Sequence, residues 1–164
     1  MTQLRIASTV TALVLAAAVA PAAAQQTLGA TFSGYPENPT LNSAGSGTLT
    51  ITISEDEQSF SYVLSYQGLM GTSASHIHVG TPWLNGPVVI FLCGGGGRPS
   101  CPPEGGTVQD TIMASDVTAG AAAQGFPAGD LATMLAAMRA GATYANLHTA
   151  ERPGGEIRGQ IQPQ

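Results

Sequence analysis

The chain has no lysine, and its 164 residues carry five arginines against ten acidic side chains, a formal net charge of −5. Binding a polyanion needs clustered cations that displace counterions from the phosphates. Nucleic acid is therefore not expected as a partner. Cysteine is nearly as scarce, with only Cys93 and Cys101. Long apolar runs are lacking as well. One lies at residues 10–20, and no later stretch is long enough to cross a bilayer.

The first apolar run follows Arg5 and precedes Ala22-Ala23-Ala24. A positive residue, a short apolar run and a small-residue site are the three parts of a secretory signal peptide. Residues 1–24 are expected to be that signal, and residues 25–164 the mature β domain. The apolar run is too short to serve comfortably as a retained anchor, and no cysteine follows it for lipid attachment. Secretion or a periplasmic location is the expectation. In such an oxidising compartment Cys93 and Cys101 are expected to form one disulfide. A thiolate metal site or redox pair is the alternative, but the spacing is far wider than Cys-x-x-Cys.

The mature part reads as short strands between turn signals. Residues 27–33 alternate through Leu28, Ala30 and Phe32. Residues 47–54 place Leu49, Ile51 and Ile53 on one face and three threonines on the other. The charged turn Glu55-Asp56-Glu57 leads to Phe60, Tyr62, Leu64 and Tyr66 at a period of two. Residues 72–80 and 107–113 alternate similarly. The continuously apolar run at 87–93 predicts an interior strand. A single helix is expected after Asp130, with Leu131, Met134, Leu135 and Met138 forming its buried stripe and Gly141 ending it. The chain closes on a hairpin in which a Pro-Gly-Gly turn joins a strand at 144–148 to one at 156–161. The fold class is all-β, an antiparallel sandwich or barrel of seven to eight strands with one short helix.

Histidine occurs at 76, 78 and 148 only, each in strand phase opposite the aliphatic residues. His76 and His78 project from one face of one strand, about 6–7 Å apart at Cα. Two imidazoles so placed suit one metal ion. His148 completes a three-nitrogen set if its strand is adjacent, with Asn146 and Glu156 as supporting groups. Nitrogen ligands without thiolate suit copper or zinc. The other reading is a polar network tying the strands together, with no cofactor. Glu156 and Arg158 are expected to be no more than a surface pair. No nucleophile elbow or phosphate loop is present, so no enzyme is expected.

Ser75-His76-Ile77-His78-Val79-Gly80, Tyr144-Ala145-Asn146-Leu147-His148-Thr149 and Pro153-Gly154-Gly155-Glu156-Ile157-Arg158-Gly159-Gln160 together resemble the CHRD domain family, first described in chordin and found in many exported bacterial proteins. The resemblance runs over nearly all of the mature chain. The glycine loop between the cysteines departs from it. It implies an extracellular β-rich module that binds an unknown protein or small ligand, without a known reaction. Chordin's growth-factor partner is not implied, because the cysteine-rich modules of that protein are missing here.

Overall fold

The computed structural model describes residues 25–164, so the expected signal at 1–24 lies outside the described residues. Alternation dictates the first layer. In β1 (Thr27–Phe32), β2 (Ser46–Ile53) and β3 (Ser59–Gln67), every second residue is apolar and turns inward. Leu28, Phe32, Leu49, Ile51, Phe60, Tyr62 and Leu64 are each at most 1% exposed. Side chains of this size contribute roughly 1.5–3 kcal/mol each when fully buried. β6 (Gly105–Met113) pairs with β3, and the two-residue β9 (Gln162–Pro163) pairs with β1, giving the antiparallel order β6-β3-β2-β1-β9.

The second layer consists of β5 (Val88–Cys93), β4 (Thr72–Val79), β7 (Thr143–Thr149) and β8 (Ile157–Gln160), in that order and again antiparallel. Ile77, Ile90, Leu92, Ala145, Leu147 and Ile157 face the first layer and are fully buried. The Tyr62 hydroxyl crosses between the layers to donate to the Leu92 carbonyl. The architecture is a sandwich of two open sheets.

The expectation of an interior strand at 87–93 is corrected, because β5 ends its sheet. It is apolar throughout because the free edge is covered. Thr118 donates from its backbone N–H to Val89 O at 2.9 Å and from its hydroxyl to Val88 O at 3.1 Å. Two 3-10 turns, Ala114–Asp116 and Ala119–Gln124, occupy the segment that showed no clear pattern in sequence. Helix α1 (Leu131–Arg139) begins where Asp130 accepts from Thr133 N at 3.0 Å. It is followed by Gly141 at φ +66. Cys93 and Cys101 form the disulfide, with Cα atoms 5.1 Å apart.

Candidate metal centre

The β4–β7 register brings the histidines together. His76 lies opposite Asn146, His78 opposite Tyr144, and Ala74 opposite His148. With side chains alternating across each strand, His76, His78, Tyr144, Asn146 and His148 share the sheet face turned away from the core. One ligand atom from each of the three histidines lies within 4.8 Å of the other two. Among the described residues this is the only such group of three or more metal-ligating side chains. His78 is 6% exposed and Asn146 3%, while His76 and His148 are half-buried.

Backbone carbonyls fix which nitrogens carry protons. His78 Nδ1 is 2.9 Å from Gly86 O, and His148 Nδ1 is 2.9 Å from Pro153 O. A carbonyl only accepts, so both Nδ1 atoms donate, and each neutral ring keeps its lone pair on Nε2. Those two Nε2 atoms both face Asn146 Oδ1, each at 3.0 Å. At the other end of the amide, Asn146 Nδ2 lies on the side of Glu37, whose carboxyl burial raises above its usual range while Asn38 N–H, Arg158 and Asn146 pull it back. His76 Nδ1 stands 3.1 Å from His148 Nε2 and can donate to it. No donor among the described residues meets the lone pair of His78 Nε2. Its one polar neighbour is an oxygen that is itself an acceptor.

Protonation is a poor remedy. Burial is the main cause that pushes His76 down to about 4, with His148 and His78 adding to it. Burial likewise lowers His78 and His148 from the ordinary histidine range. Three neutral imidazoles and an amide oxygen thus converge at neutral pH, a donor set for a borderline cation such as copper(II) or zinc. A tetrahedral zinc about 2.0–2.1 Å from each nitrogen holds its ligands about 3.4 Å apart. The His76–His148 pair, at 3.1 Å, is already near that spacing.

Glu156 stands elsewhere. Its carboxylate accepts from Ser43 Oγ at 2.8 Å and Thr149 Oγ1 at 2.6 Å, anchoring the 33–45 loop to the hairpin. Arg158 is no surface residue. It is 1% exposed, with its guanidinium carbon 3.3 Å from the Tyr144 ring centroid. Glu37, Tyr144, Gly86, Phe91 and Arg158 surround the site. The sequence pattern places Arg158 on the polar face of the closing hairpin, as a surface pair with Glu156, and gives none of the five a role in the site. For Arg158 and Tyr144 a signal existed, because both share strand phase with the histidine face. The loops that bury that face leave no periodic mark.

No curated protein and no solved structure matches the chain. Over residues 28–161, from the first core strand to the last buried isoleucine, the sequence matches the model of the CHRD domain, and the chain belongs to that family of extracellular interaction modules.

Proposed function

We propose that this protein is an exported, metal-binding CHRD module that holds one copper or zinc ion through His76, His78 and His148, with Asn146 beside them. One observation carries the reading. The lone pair of His78 Nε2, its tautomer set by the Gly86 carbonyl, faces only the Asn146 Oδ1 acceptor, which it shares with His148 Nε2. Carbonyls that hold the far nitrogen of each ring are the usual outer partners of metal-bound histidine. A buried acceptor without a donor is costly, and a cation removes that cost for the whole group. The family's character as an interaction module supports binding rather than turnover. The disulfide fits an oxidising compartment, and residues 1–24 supply the export signal.

The test is elemental analysis of untagged protein, followed by copper(II) and zinc titration with calorimetric and EPR detection. About one ion per chain, with nitrogen hyperfine structure for copper and loss in His148→Ala, is expected. A flat titration by both ions, in a protein that remains folded, overturns the reading. Export is tested separately by N-terminal sequencing of the secreted form, which is expected to begin near Gln25.

A further inference from the structure

Arg158 is among the largest fully buried side chains of the described residues. Desolvating a guanidinium is expensive without compensation. The ion pairs among the described residues involve Arg98 and Arg139, and none reaches Arg158. Its polar partners all come from one loop: Thr81 O at 3.3 Å, Leu84 O at 2.8 Å and Asn85 Oδ1 at 3.4 Å. Its planar face lies on Tyr144. The ring of Tyr144 in turn stacks on His78, with centroids 4.7 Å apart and planes within 5°. Strand order puts β7 between β4 and β8, so Tyr144 sits between the imidazole and the guanidinium.

The same loop returns to His78. Gly86 donates its N–H to Tyr144 Oη at 3.1 Å and accepts from His78 Nδ1 at 2.9 Å. A Cβ at Gly86 would fall 1.7 Å from Val79 O, so only glycine allows this approach. Within the loop Trp83 holds φ +71, a conformation a non-glycine residue keeps only when its surroundings impose it. Arg158 holds the loop at three points around Trp83, and Asn38 Nδ2 donates to the Trp83 carbonyl at 3.1 Å.

We propose that Arg158 is the positioning residue of the histidine site, clamping the 80–86 loop and the Tyr144 ring so that the Gly86 carbonyl stays on His78 Nδ1 and His78 Nε2 is presented to the other donors. Arginine suits the task because its rigid fork serves several carbonyls while its face stacks on an aromatic ring; lysine does neither. His148 is outside the clamp, because Pro153 of the hairpin turn sets its tautomer.

The inference rests on the metal reading for affinity only, and the tautomer is measured without metal. Imidazole nitrogen NMR of the metal-free protein at neutral pH is expected to show the Nδ1–H form at both His78 and His148. In Arg158→Lys, His78 is expected to become a tautomer mixture while His148 does not change. Copper(II) affinity is expected to fall about 10–100-fold, the range seen for outer partners of metal ligands. A merely structural arginine would lower the melting temperature and leave both readouts alone. Unchanged His78 tautomer and affinity in folded Arg158→Lys overturns the proposal. Should that variant not fold, Tyr144→Phe decides, since it keeps the ring and removes the oxygen that holds Gly86 N–H. A retained pure tautomer there overturns the proposal equally. A wild-type protein that binds neither ion, with the tautomer shift still seen in the variant, overturns the metal reading and upholds the clamp.

Discussion

Phe91 stands edge-on to His76, with ring centroids 4.7 Å apart and planes at 87°. The two residues are register partners on β5 and β4. Gly95 and Gly96 of the disulfide loop press on the phenyl ring, since a Cβ on either would come within 2.9 and 2.8 Å of it. The loop that departs from the family pattern thus reaches the histidines through a single aromatic ring.

Removing the disulfide is therefore expected to register in two places. A bridge spanning eight positions contributes about 2–3 kcal/mol by restricting the unfolded chain. Cys93→Ala/Cys101→Ala is expected to lower urea stability by about that amount. It is also expected to broaden the His76 ring signals in NMR, while those of His148 stay sharp. A variant with the stability loss but an undisturbed His76 would show that Phe91 is held without the loop.

Alkaline pH is expected to weaken the join between the sheets. Burial pushes Tyr62 and Tyr66 up to about 12. Their hydroxyls donate to Leu92 O and, at 2.7 Å, to Pro102 O. An unfolded tyrosine ionises near 10, so between about pH 10 and 12 the unfolded chain binds fewer protons than the native one. Stability is fully present below pH 10 and falls as pH rises through that window. The urea midpoint is expected to drop between about pH 10 and 12, with the tyrosinate absorbance of Tyr62 and Tyr66 appearing together with unfolding. Ionisation of Tyr62 and Tyr66 near pH 10 in a protein that stays folded would contradict the prediction.

The strands were legible because burial imposes a period of two, which Leu49-Thr50-Ile51-Thr52-Ile53 and Phe60-Ser61-Tyr62-Val63-Leu64 display directly. The three histidines were legible for the same reason. Their phase put them on one face, and the β4–β7 pairing brought them together. Strand β5 misled because an apolar run reports burial without saying what does the burying, and here a 3-10 segment covers the edge. Arg158 misled for the converse reason. Polar strand positions read as solvent-facing, yet loops 33–45 and 80–87 lie over this face. Their contacts depend on tertiary closure between residues more than seventy positions apart, such as Arg158 and Leu84, which no local pattern records.

Gly155 leaves no room for a side chain beneath that cover. It holds φ +123, and a Cβ there would lie 2.6 Å from Glu37 Oε1 and 2.7 Å from Asn146 Nδ2. Gly155→Ala both strains the backbone and displaces the amide from the carboxylate, at a cost of roughly 1–3 kcal/mol. The displacement is expected to turn Asn146 Oδ1 away from the rings and to weaken zinc binding, measured by calorimetry on the folded variant. Gly154, one position earlier, has nothing within 4 Å of its Cβ site. Gly154→Ala is therefore expected to behave as wild type. Equal effects at both positions would mean that the turn, not the Glu37–Asn146 contact, is what matters.

Asn146 offers the sharpest separation of a metal site from a strand-tying network. Its Oδ1 faces His78 Nε2 and His148 Nε2 at 3.0 Å each. Asn146→Asp puts a second carboxylate beside Glu37, which burial already holds above the usual carboxylate range. Like charges so close destabilise the metal-free protein. A divalent cation relieves both that repulsion and the opposed lone pairs. Asn146→Leu removes the oxygen and with it the opposition. The rise in melting temperature at fixed excess zinc is thus expected to be largest for Asn146→Asp, intermediate for the wild type and smallest for Asn146→Leu. A tenfold affinity step corresponds to about 1.4 kcal/mol of added stabilisation at saturating metal. If Oδ1 were part of a hydrogen-bond network only, zinc would stabilise none of the three, and Asn146→Leu would be the least stable of them. The order of the three zinc responses separates the two cases in one set of thermal scans.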